Sequence, residues 1–214
     1  MREIFKKIHE PSSSISDFIL SLFCFFWFYD LWKLFLIHKL NIHFLSSILF
    51  FVLAISSILG SFFHMFAKMI SNKLIGFNFK IAVFTIGLVL LLISFIYIDI
   101  LLEHNLKFIV GCFFLFLIIY FYYQCVSKNF NKLIISLLPI ILFIIFGIYI
   151  ELTNNYIGSK ETLFGFLIIF LGLIVWKSGF SIHKNFNKND IFHYISIIGL
   201  WFLYQGYKLS IFHK

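Results

Sequence analysis

Seven long apolar runs, each set off from the next by a short polar break, organise this chain. They cover Phe18 to Ile37, Phe44 to Phe66, Ile81 to Leu102, Leu106 to Val126, Leu133 to Leu152, Leu163 to Phe180 and Ile191 to Lys208. A helix needs about 20 apolar residues to cross the hydrocarbon core of a bilayer, and each run meets or approaches that length. The breaks, such as HKLN, AKMISNKLIGFNFK and EHN, are too short to fold as soluble domains. The pattern predicts an all-α polytopic membrane protein, residues 1–214 forming a single domain of seven transmembrane helices. Arg2, Lys6 and Lys7 precede the first run, as in a signal peptide, but the run is too long for an h-region and no small-x-small cleavage site follows. It is expected to stay as a helix. Pro139, inside the fifth run, predicts a kink that neighbouring membrane helices tolerate.

Composition agrees. The chain is 62% hydrophobic and 12% charged, about half the charge of an ordinary soluble domain, so its solvent is expected to be lipid. The 33 Phe accompany a single arginine, Arg2, and an abundance of Ile, Lys, Asn and Tyr. All five of those abundant residues use A/T-rich codons, so the aromatic load reads as apolar filler. The net charge of +8 lies in connectors between apolar runs, which argues for membrane-flanking lysines and against nucleic acid. Cys24, Cys112 and Cys125 lack CxxC spacing and read as small apolar residues.

The lysines also orient the chain. Arg2, Lys6, Lys7, Lys68, Lys73, Lys80, Lys128, Lys132, Lys177, Lys184 and Lys188 fall on one side of the seven spans, the remaining six of the 17 Lys and Arg on the other. The richer side is expected to be cytoplasmic, with the N-terminus inside and the C-terminus outside. Length and A/T-rich composition point to a bacterial inner membrane, with an organelle or endoplasmic reticulum membrane as the alternative.

Against this background, polar residues inside the runs become informative, because an ionisable group at membrane depth is a functional candidate. His64, in GSFFHMF, and His193, in NDIFHYI, both fall at the inner ends of their helices, in one layer with Asp17, Ser61, Asn189 and Asp190. Asp190 and Asn189 lie three and four residues before His193, and Ser196 three after it, so these share a helix face. Ser61 and His64 repeat the spacing. If both faces point inward, two imidazoles and one or two carboxylates converge on a metal or a water. Plainer readings stand beside this one. Asp17, Asn189 and Asp190 are suited to N-cap their helices, and a lone membrane histidine can simply bond to a neighbouring helix. Asp30 and Lys33 read as an ion pair, Asp99, Glu103, Glu151 and Glu161 as solvated charges, and the Tyr and Trp near span ends as an interfacial belt.

GSFFH closing the second helix and NDIFHYI opening the seventh resemble motifs of the CREST superfamily of seven-helix membrane hydrolases, which includes alkaline ceramidases and the progestin and adiponectin receptors. In that pattern a Ser-x3-His on helix two, an Asp on helix three and a His-x3-His on helix seven bind zinc and a water for hydrolysis of lipid amides. His64 and His193 match two of these positions. Gly60 stands at the serine place beside Ser61, Asn189 at the first helix-seven histidine, and no aspartate opens the third helix. The chain is also similar to an uncharacterised bacterial membrane family with an Asp starting helix one, a Gly-Gly-x-x-His-like motif ending helix two and Asn-Asp-x-x-His opening helix seven.

The resemblance implies Zn²⁺ held by His64, His193 and Asp190, with Asp17 or Asp190 as general base and His183 as a further candidate ligand. A catalytic zinc takes three protein ligands and an open water position. Lys80, if turned inward, would repel the metal. Two readings follow. One is a lipid-binding or sensor-like protein that recognises its ligand through Ser61, Asn189 and Ser196 as well as the histidines. The other is a zinc-dependent hydrolase of a lipid amide or ester. Transport is disfavoured by the lack of midplane charges and of paired interrupted helices. Membrane lipids are the expected partners.

Overall fold

The computed structural model of the chain describes residues 10–126, 133–183 and 186–210. Among these residues are seven α-helices: α1 (Pro11–His38), α2 (Asn41–Phe66), α3 (Asn72–Leu101), α4 (His104–Val126), α5 (Leu133–Thr153), α6 (Ser159–Ser178) and α7 (Lys188–Leu209). Arg2, Lys6, Lys7, Lys128, Lys132, Lys184 and Lys214 of the charge tally lie outside the described residues.

Local chemistry explains where these helices begin and end. Pro11 opens α1, where its fixed φ suits the first turn and its missing N–H costs nothing. Lys39 closes the helix in the left-handed conformation (φ 56°), its N–H bonded to the Phe35 carbonyl at 2.8 Å. Ser71 caps α3 by accepting from the Leu74 N–H. Asn187 caps α7 in a reciprocal box with Asp190, so Asn187 holds the cap position and Asp190 supports it from the third helical residue.

Two expectations about helix starts need correction. The AKMISNKLIGFNFK segment was expected as a connector, yet α3 starts within it at Asn72. Hydropathy marks the part of a helix that lies in lipid, whereas the hydrogen-bonded helix runs on through polar residues. For the same reason α1 starts at Pro11, and Asp17 is an interior helical residue, not its N-cap. Pro139 lies inside α5, whose helix continues across it.

Five of the helices are long and apolar enough to cross a membrane: α1, α2, α3 from Lys73, α4 from Asn105, and α6. The described apolar part of α5, Leu137–Thr153, is shorter, and α7 is diluted by Lys188, Asp190, His193, Gln205 and Lys208. Along the chain each helix packs on the next, α3 also meets α5, and α7 returns to lie against α1 and touch α2. The interior is filled by side chains such as Leu31, Leu49, Phe50, Ile96 and Tyr97. Large apolar side chains equally cover the outside, Phe26, Phe84, Phe108, Phe116 and Phe170 among them. A surface that apolar is matched to lipid, and the chain is a multi-pass integral membrane protein.

Lipid tails leave little hydrophobic drive for one helix to join another, so close backbone approach matters. The α6–α7 pair shows it. A Cβ placed on Gly165 would stand 2.8 Å from the Gly199 carbonyl, and one on Gly199 would stand 3.0 Å from the Gly165 carbonyl.

Two electrostatic expectations also change. Asp30 pairs with Lys208 at 2.9 Å and accepts from the Tyr204 hydroxyl, while Lys33 lies over the Tyr29 ring. Interhelical packing of α1 on α7 brings Lys208 closer than the i+3 neighbour. Glu151 is buried, at 6% exposure, and accepts from Tyr97 at 3.4 Å, because the last turn of α5 tucks under the end of α3. Asp99 is half-buried and bound to Lys107 at 2.7 Å.

Candidate functional site

The head of α1 reads PSSSISD, and Ser13, Ser14, Ser16 and Asp17 are all buried. Four buried polar side chains in two helical turns require polar neighbours. On one side α2 provides them. The Ser14 hydroxyl donates to the Ser61 carbonyl at 2.9 Å, and the Ser61 hydroxyl donates to the Ser14 carbonyl at 2.8 Å. The Glu10 N–H donates to the His64 carbonyl at 3.0 Å. Gly60 completes the approach: a Cβ there would stand 2.7 Å from Asp17 Oδ2.

On the other side stands the start of α7. Asp190, wholly buried, accepts from the Ser12 hydroxyl at 2.9 Å and the Asn187 N–H at 2.7 Å. Asn187 Nδ2 donates to Ser13 Oγ at 3.2 Å. Asn189 accepts from Trp176 Nε1 of α6 at 2.9 Å and reaches Glu10 with its Nδ2 at 3.5 Å.

Between these two layers lie the titratable groups. Asp17 Oδ1 is 3.3 Å from His193 Nε2, and Asp17 Oδ2 is 3.8 Å from His64 Nε2. The two imidazoles stand 6.4 Å apart between ring centres. Each ring is held from behind: Ser16 Oγ lies 2.9 Å from His193 Nδ1, and Glu10 Oε2 lies 2.7 Å from His64 Nδ1, off the line of a good hydrogen bond. No lysine or arginine among the described residues pairs with Asp17 or Asp190.

The structure therefore brings together Asp17, His64, Asp190 and His193, with Ser61 and Asn189 at the margin. Ser61 ties α1 to α2. Ser196 is buried one turn deeper on α7, and its hydroxyl has no hydrogen-bond partner among the described residues. Lys80 is exposed on α3. His183 lies in the loop before α7, bridged to Phe186. Sequence reasoning missed Glu10, Ser12, Ser13 and Ser14, although four serines ahead of an apolar run are themselves a signal of a buried polar helix start.

What the arrangement can do follows from its donors. Both Nε2 atoms face one carboxylate, so a proton, a cation or a polar ligand group can be shared there. A metal would have to draw on His64, His193 and a carboxylate. Among the described residues, however, no group of three or more His, Cys, Asp or Glu is arranged to hold a metal ion.

No curated protein and no solved structure matches the chain. A family match runs over residues 12–210, which takes in all seven helices but for Pro11, and every member of the α1–α2–α7 cluster except Glu10. The chain belongs to this family, DUF6962, a family of unknown function.

Proposed function

We propose that this protein is a seven-span membrane protein of the bacterial inner membrane, N-terminus inside, that binds a lipid headgroup and works as a lipid-binding or sensor-like protein. The observation that carries this reading is Asp17 standing between His64 and His193 at one end of the bundle. Burying ionisable groups in a membrane protein is costly, so their presence marks a functional candidate, and the serines and asparagines around them supply further donors and acceptors at headgroup depth. The site would lie at the cytoplasmic face.

Native mass spectrometry of protein purified in mild detergent tests this. Wild type is expected to retain a lipid that Asp17→Asn and His193→Ala lose. Equal retention in variants that still elute as folded protein would sink the reading.

A second reading, a zinc-dependent hydrolase of CREST-like ancestry, draws support from one detail. Each imidazole presents Nε2 inward while its Nδ1 faces Ser16 or Glu10, and metal-bound histidines usually have such an outer partner. His64, His193 and Asp17 or Asp190 would hold the ion, which would supply a water whose pKa is lowered toward about 7. Stoichiometric zinc after chelator-free purification, lost in His64→Ala, would favour this reading over the first.

A further inference from the structure

The outer partners of His64 and His193 fix which nitrogen of each ring carries its proton. The Ser16 hydroxyl has two oxygens to donate to, the Ser13 carbonyl at 3.1 Å and Asp190 Oδ1 at 3.4 Å. Its hydrogen is thus directed away from His193, and Ser16 Oγ, 2.9 Å from Nδ1, accepts from Nδ1–H. A neutral imidazole with its proton on Nδ1 leaves Nε2 as a bare acceptor. For His64 the Glu10 carboxylate, 2.7 Å from Nδ1, draws the proton to that nitrogen in the same way. Both bare Nε2 atoms then face Asp17, at 3.3 Å from His193 and 3.8 Å from His64.

Acceptor therefore faces acceptor on both sides of a carboxylate that is only 6% exposed. No hydroxyl or amide among the described residues donates to Asp17, and no lysine or arginine among them pairs with it. A buried charge in that position calls for a donor. One proton on Asp17 could serve one of the two rings and would leave the other unanswered. A primary ammonium carries three N–H donors and no acceptor, one each for Asp17, His64 Nε2 and His193 Nε2. Asp190 and Glu10 flank these atoms with further negative charge, which favours a cation and opposes an anionic headgroup. The His64 side chain is 20% exposed, so the cluster can be reached from its end of the bundle.

We propose that the cluster binds the primary ammonium of a lipid headgroup of the phosphatidylethanolamine type, with Asp17 as counter-charge and the two Nε2 atoms as the remaining acceptors. This rests on the headgroup-binding reading and names the ligand of that same site.

The test is native mass spectrometry of the full chain in mild detergent, offered phosphatidylethanolamine, phosphatidylcholine and phosphatidylglycerol of one acyl composition in equal amounts. Wild type is expected to retain phosphatidylethanolamine at least about tenfold over each of the others, the scale of one hydrogen bond to a charged group. Successive N-methylation of the headgroup should weaken retention step by step, because each methyl removes a donor. Asp17→Asn should abolish the preference. Competition by water-soluble glycerophosphoethanolamine at matched concentration would mark a free amine as the source, and its failure to compete a lipid; either supports the ammonium site. Retention of phosphatidylcholine or phosphatidylglycerol equal to that of phosphatidylethanolamine overturns the proposal but leaves lipid binding standing. Folded wild type that retains no lipid, or that carries stoichiometric zinc instead, overturns both.

Discussion

Asp17 can stand between two imidazoles because residue 60 has no side chain. A methyl group at Gly60 would fall 2.7 Å from Asp17 Oδ2 and 3.3 Å from its Cγ, so the carboxylate would have to shift from its place between His64 and His193. Gly60→Ala is therefore expected to destabilise the protein by about 1–3 kcal/mol, the usual cost of overpacking, seen as a lower Tm in detergent. Asp17→Ala in the same chain should relieve most of that loss, since the clash is with the removed group. A Gly60→Ala protein as stable as its parent would show that α1 and α2 are less tightly apposed at this end.

At the scale of elements, the α6–α7 pair and the start of α3 give opposite expectations for the same substitution. Gly199→Ala drives a methyl to 3.0 Å from a backbone carbonyl on α6, which cannot swing aside. It should lower Tm. Gly76→Ala meets nothing within 4 Å and gains up to about 1 kcal/mol of helix propensity, so it should raise Tm. Two thermal melts decide both.

The helices themselves were legible from hydropathy, because runs of Leu, Ile and Phe leave the backbone in lipid little alternative to helix. Their starts were not. Residues 11–17 and 72–80 are polar enough to read as connectors, and only capping by Pro11 and Ser71 shows where the hydrogen bonding begins. His64 and His193 stood out as polar residues in apolar runs, and i, i+3 spacing drew Asp190 to them. Asp17 was legible by depth alone. Glu10 and the serines gain their roles from contacts between distant helices, 47 residues apart for Ser14 with Ser61 and 178 for Ser12 with Asp190, and no local pattern records those. Glu151 was misread for the converse reason: nearness to a loop in sequence does not reveal what a neighbouring helix covers.

For the whole molecule, seven crossings would put the two ends in opposite compartments, and the asymmetry of lysines predicts which end is inside. Reporter fusions, one active only in the cytoplasm and one only outside, check this at each terminus. The N-terminal fusion should report inside and the C-terminal one outside. Both on one side would mean that one of the seven helices, α7 or α5 before others, lies in the membrane without crossing it.

The contact of α1 with α7 carries a consequence for biosynthesis. Asp17 leaves the ribosome well before His193, yet the two meet at 3.3 Å. Throughout synthesis of the intervening helices, the carboxylate lacks its partner from α7. An Asp exposed to hydrocarbon costs several kcal/mol, so a chain stopped short of α7 is expected to hold the head of α1 less firmly. The same cluster that marks the candidate site is thus closed only by α7, and its closure registers that this helix has arrived.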